Sequence, residues 1–122
     1  MKSTFNRQAL PYIKKELSDA KIARMNGDQI AEFYCLERAH VIGQNSTYYH
    51  VKVHMLMLMW AIRQRAVKEM AGQVFRIIGA AVLTRFGLVP TGNTGGANVS
   101  PFKPMQIAPE LLDIISKINT LK

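Results

Sequence analysis

Between Leu88 and Gln106 the chain carries Pro90, Pro101 and Pro104, with Gly92, Gly95 and Gly96 among them. Proline removes a backbone N–H and clashes with the preceding helical turn, and glycine costs a helix entropy. No long helix can therefore run through this stretch. Nineteen residues of irregular chain in so short a protein point to a loop with a packed or functional role. On either side the pattern is helical, and no strand pattern is convincing. The expected fold is all-α: two antiparallel helical hairpins, an ordered Gly/Pro-rich loop over about 88–106, and a short C-terminal helix. All 122 residues are expected to form one domain.

The first helix is expected from near Leu10 to Met25, with Pro11 in its first turn, where a missing N–H costs little. Leu10, Ile13, Leu17 and Ala20 follow helical spacing. Asn26-Gly27-Asp28 makes a turn, and Asp28 can cap the second helix, Gln29 to Val41. Ile30, Phe33, Leu36 and Ala39 or His40 fall on its inner face. Asn45-Ser46-Thr47 can cap a third helix running to about Arg65, apolar nearly all round at its centre and so central in the fold. A fourth helix spans about Val67 to Phe86, where Gly87 ends it. Val67, Met70, Ala71, Val74, Ile77, Ile78, Ala81 and Val82 form one apolar stripe along it. The last helix starts at Pro109. The first hairpin looks like a tetratricopeptide unit, with Ala20 before Gly27-Asp28 and Ala39 after. Glu32 departs from that pattern, and no second copy is evident.

Sixteen Lys and Arg against eight Asp and Glu give a net charge of +8. That balance favours an anionic partner, but the basic residues are dispersed and no block of five occurs, so a basic solvated surface satisfies it equally. A single cysteine, Cys35, fits a reducing compartment and the cytoplasm. The N-terminal residues have no apolar stretch of a signal peptide, and the apolar run from Val51 to Ile62 is too short to cross a bilayer.

The histidines carry the sharpest chemical signal. His50 and His54 are four residues apart, on one helical face and about 6 Å from each other. His40 closes the second helix, with Glu37 one turn before it. A short loop makes the second and third helices antiparallel neighbours, so Glu37, His40, His50 and His54 converge at one end of that pair. Imidazole and carboxylate suit zinc, iron, nickel or copper. A hydrogen-bonded polar cluster would satisfy the same residues without metal. The Glu37-x-x-His40 spacing resembles the ligand pattern of di-iron bundles, which need a second such pair that this chain lacks.

On the fourth helix Glu69, Gly72, Gln73, Arg76, Gly79 and Ala80 repeat beside the apolar stripe. Such a face admits a close neighbouring segment or lines a pocket. Arg76 can hold an anion with its planar fork, or pair with Glu37 or Glu69. The run Thr91-Gly92-Asn93-Thr94-Gly95-Gly96-Ala97-Asn98 could form a backbone nest for an anion or an ordered loop over Gly72 and Gly79. It is neither a P-loop nor a dinucleotide fingerprint. Catalytic signals are few: Cys35 has no setting that would activate it, and no serine elbow is present.

Several runs resemble a bacterial domain-of-unknown-function family. They are Leu36-Glu37-Arg38-Ala39-His40-Val41-Ile42-Gly43-Gln44, His50-x-x-x-His54, Trp60 and Gly72-Gln73-x-x-Arg76. Gly87 to Gly96 and Val99 to Met105 extend the likeness, which covers roughly 10–118. The family pattern reads Pro after Met105, where this chain has Gln106. The resemblance implies short proteins with no established activity, and it ties the histidines and the Gly-rich tail into one motif set.

Three functional readings follow. The leading one is a non-catalytic binding or interaction module whose pocket includes Gln73, Arg76 and Asn93, taking a protein or an anionic small molecule. The second is a metal-binding protein holding a transition metal ion such as zinc on Glu37, His40, His50 and His54. The third is an anion or nucleic-acid binder, for which nucleic acid is the weaker option because aromatic residues do not interleave with the basic ones. A homodimer is compatible with all three.

Overall fold

The computed structural model describes residues 4–86, 92–97, 99 and 104–120. It is all-α: α1 (Thr4–Met25), α2 (Gln29–Gly43), α3 (Thr47–Gln64), α4 (Val67–Leu83), one 3-10 turn (Thr84–Phe86) and α5 (Pro109–Thr120). Among the described residues there is no strand. None of these helices is long and apolar enough to cross a membrane.

The helices pack as two hairpins, α1 on α2 and α3 on α4, joined through the contact of α2 with α3; α5 lies against α1 and α2. The first hairpin turns at Gly27, whose φ of +74° is the left-handed region glycine enters without penalty. Asp28 then caps α2 by accepting from the Ala31 N–H at 3.0 Å. Ser46 caps α3 in the same way, accepting from Tyr49 N. The second hairpin turns at Arg65, the α3 cap, in the left-handed conformation.

Two buried clusters form the core. One joins Ala9 and Ile13 of α1, Val41 and Ile42 of α2, Tyr49 of α3, and Leu111 and Ile118 of α5. The other joins Ala20, Leu36, Ala39, Val53 and Met57. The first cluster explains why α1 begins at Thr4, well before the expected start. Ala9 is fully buried and Phe5 packs on the cluster, so apolar burial holds the turns that Pro11, inside the helix, leaves short of a hydrogen bond. Ile30 is a second departure: it is 81% exposed, and the inner face of α2 is carried by Leu36, Ala39 and His40. Glu32 is buried and ion-paired with Arg63 of α3, which ties the first hairpin to the second.

The largest departure is the orientation of α4. Its buried residues are Gln73, Arg76 and Ala80, while Val67, Val74, Ile78 and Val82 of the apolar stripe are exposed. The polar face of this helix turns inward, toward the histidines. Gly87, expected to end the fourth helix, lies outside the described residues, as do Thr91 and Asn98 at the ends of the expected nest.

Candidate metal centre

Two helices deliver the histidines. His40 sits in the last turn of α2, and His50 and His54 lie in the first half of α3. All three are buried, and one ring nitrogen from each lies within 4.8 Å of the other two. The His40 ring stands edge to face with the other two, with centroids 4.6 Å apart for His40 and His54 and 4.8 Å for His40 and His50. Around them α4, its 3-10 extension and the Gly-rich segment supply hydrogen-bond partners.

Each Nδ1 is engaged on the outside of the cluster. His40 Nδ1 donates to the Asn93 carbonyl at 2.7 Å. His54 Nδ1 lies 2.6 Å from Gln73 Oε1, and His50 Nδ1 lies 2.7 Å from the Thr84 hydroxyl. The orientation of the Gln73 amide is fixed by its other end. Gln73 Nε2 donates to Glu69 Oε2 at 2.7 Å and to the Gly95 carbonyl at 2.9 Å. Both partners are acceptors, so the amide oxygen faces His54 and His54 Nδ1 is the donor. A carbonyl also only accepts, so His40 Nδ1 carries its proton as well. Each of these two neutral rings then has a bare lone pair at Nε2, and the two Nε2 atoms are 3.1 Å apart.

Two lone pairs at that distance repel unless a cation lies between them or one nitrogen is protonated. Protonation is strongly disfavoured. Burial, then the neighbouring imidazoles, push His40 well below the ordinary histidine range. Burial and His54 bring His50 down to about 3. Burial, outweighing the Gln73 bond and reinforced by the Arg76 charge, brings His54 to about 4. At neutral pH the cluster is three neutral imidazoles.

The other residues singled out in the sequence fall around this centre. Gln73, fully buried, and Asn93 act on the histidines as described, and Asn93 Oδ1 also accepts from Gly95 N at 2.9 Å. Arg76 turns inward and donates to the carbonyls of Gly72 and Val99, which fastens the Gly-rich segment to α4. Glu37 is not part of the nitrogen cluster. Its carboxyl is raised above the usual range by burial, a hydrogen bond with Thr94 draws it back, and nearby Glu69 raises it further. It lines an open groove with Phe33, Tyr34, Trp60 and Glu69. Sequence reasoning missed Thr84, although it continues the α4 face of Gln73, Arg76 and Ala80 at helical spacing.

The Gly-rich segment lies close over α4 and the histidines because glycines stand at the points of contact, Gly72 on α4 and Gly95 in the segment. A Cβ on Gly72 would meet the Ala97 Cβ at 2.5 Å, and one on Gly95 would sit 2.6 Å from His40 Cδ2. Gly95 also has a φ of +88°. Gly95→Ala is therefore expected to cost about 2 kcal/mol from backbone strain and crowding together, read as a lower urea midpoint. It should also disturb the His40 ring, seen as a shift of its imidazole NMR signals. A neutral result would mean that the segment is not held against His40.

A protein family described as "Protein of unknown function (DUF3703)" matches residues 7–115, and the chain belongs to that family. Neither a curated protein nor a solved structure matches it.

Proposed function

We propose that this member of the DUF3703 family binds a divalent transition metal ion, zinc foremost, through the imidazole nitrogens of His40, His50 and His54. The observation that carries the reading is the pairing of outer and inner nitrogens. Metal-bound histidines usually donate the far ring N–H to a carbonyl, carboxylate or similar acceptor, which fixes the tautomer and aims the free nitrogen at the metal. Here Asn93, Gln73 and Thr84 occupy those outer positions.

The spacing supports the same reading. A tetrahedral zinc site with Zn–N bonds of about 2.0–2.1 Å has nitrogens about 3.3 Å apart. The 3.1 Å between His40 Nε2 and His54 Nε2 is close to that edge. The spread of up to 4.8 Å across the three nitrogens is larger, so the rings close inward on the ion. The positive charge of Arg76 opposes any cation, proton or metal. Coordinate bonds are strong enough to overcome it, since structural zinc sites contribute on the order of 10 kcal/mol. Three neutral imidazoles suit zinc, copper, nickel or ferrous iron better than calcium or magnesium, which prefer oxygen.

The test is element analysis of untagged protein purified without chelator, beside His54→Ala. Near-stoichiometric metal in the native protein, lost in a variant that keeps its helical circular dichroism, is the expected result. Zinc added to metal-free protein at about a thousand times its Kd should stabilise by about 4 kcal/mol, a rise in Tm on the order of 10 °C. Protein that takes up none of zinc, copper, nickel or iron would overturn the reading and leave the cluster as polar packing.

A further inference from the structure

From Ala71 to Val82 every exposed position of α4 is apolar, while its polar residues Gln73 and Arg76 are buried. Val74 is 49%, Phe75 56% and Ile78 63% exposed. Beyond them Phe86, in the 3-10 turn, is 69% exposed. Polar-in, apolar-out is the reverse of a solvated surface helix, and contiguous apolar patches of this kind mark interaction sites. α4 is packed chiefly on α3, which itself exposes Met55, Met59 and Ile62.

We infer that this face is covered by a second copy of the chain, with α4 packed antiparallel on α4 about a two-fold axis near Arg76. The pattern Ala71-x-x-Val74-x-x-x-Ile78-x-x-Ala81 reads the same in both directions about residue 76. An antiparallel copy therefore sets Val74 of one chain on Ile78 of the other, and Ala71 on Ala81. Self-complementarity of one patch is the defining property of a two-fold interface. The spacings of three, four and three residues are those of helices packed side by side with interlocking side chains. The alanines at the outer positions leave room for Phe75 and Val82.

Size and charge point to the same occupant. α4 has 17 residues, a length of about 25 Å. One side of a helix that long offers on the order of a few hundred Å², a substantial part of the roughly 800 Å² that each partner of a stable complex buries. The chain carries +8 overall, yet no charged side chain is exposed on α4 beyond Lys68 until its end. Two such faces can meet without bringing like charges together. A helix resting on lipid would flank its apolar strip with Lys and Arg, and α4 does not.

Sedimentation equilibrium on the untagged full chain at micromolar concentration tests this. Twice the 13.7 kDa chain mass is expected, falling to the single-chain mass in Val74→Glu/Ile78→Glu with helical circular dichroism retained. A cysteine pair, Val74→Cys/Ile78→Cys in a Cys35→Ser background, keeps the face free of charge and should give a disulfide-linked dimer under mild oxidation. That pair decides the question should the charged variant fail to fold. A native protein that is monomeric and whose cysteine variant does not cross-link overturns the proposal, as does a dimer that survives both glutamates. A monomer that instead sediments with phosphatidylcholine vesicles would assign the face to lipid and overturn it equally.

Discussion

Stripped of metal, the protein should lose roughly 4 kcal/mol of stability between pH 7 and pH 5 from His50 and His54 alone. The direction follows from where protons bind. In the unfolded chain a histidine titrates near 6.5, whereas burial holds folded His50 at about 3 and folded His54 at about 4. The contribution of these groups is fully present above 6.5. Below it the unfolded chain takes up protons that the folded protein does not, and stability falls until the folded rings titrate in turn. His40, lowered further in the same sense, adds to the slope. Against a typical domain stability of about 5–15 kcal/mol, this drives metal-free protein toward unfolding between about pH 5 and pH 4. Urea unfolding of metal-free protein across that range is the measurement. The metal-loaded form should behave differently, because metal competes with protons for the same nitrogens. With excess zinc the acid transition moves to lower pH. A metal-free protein whose stability is flat from pH 7 to 5 would mean that the histidines are solvated, and the buried cluster would be refuted.

How far the sequence discloses this arrangement varies by element. Helix positions follow from caps and breakers that act locally: Asp28, Ser46 and Pro109 mark starts that the structure keeps. The meeting of His40 with His50 and His54 follows from hairpin geometry, because a short loop forces the end of α2 beside the start of α3. Glu37 fits the same periodicity, but one helical turn separates it from His40, and its carboxyl is drawn to Thr94 on the Gly-rich segment. Contacts with a loop have no periodicity to read. The face of α4 is the instructive failure. Hydrophobic periodicity turns the stripe of Val67, Val74 and Ile78 inward, but that rule assumes one chain surrounded by water. Gln73 and Arg76 have acceptors waiting inside, and a surface that meets another apolar surface need not face water. Glu16 shows the same limit from the other side. It is a carboxylate buried in α1 because Arg38 on α2 reaches it at 3.1 Å, a pairing across 22 positions that local pattern does not reveal.

Gln73 is where the fold and the site depend on one side chain, and its removal is the second large effect. Gln73→Leu keeps about the same volume but supplies no polar atom. Three groups then lose a partner: His54 Nδ1, the Gly95 carbonyl and the Glu69 carboxylate. Buried groups left unsatisfied cost about 1–3 kcal/mol each. With Glu69 retaining its bond from Ala97 N at 2.8 Å, the net loss should be on the order of 3 kcal/mol. The metal reading adds a consequence that packing alone does not have. Without an acceptor at Nδ1, His54 is free to move its proton to Nε2 and so withdraw its metal-binding lone pair. Loss of such an outer partner typically weakens metal affinity about 10–100-fold. Gln73→Glu separates the two roles. A carboxylate at this position still accepts from His54, so the tautomer survives. It can no longer donate to Gly95 or Glu69, and it places a second carboxylate beside Glu69. Gln73→Glu should therefore lose stability as Gln73→Leu does while holding metal more tightly than Gln73→Leu, by competition against a chromophoric chelator. Equal metal affinity in the two variants would show that Gln73 serves the packing of the Gly-rich segment and does not orient His54.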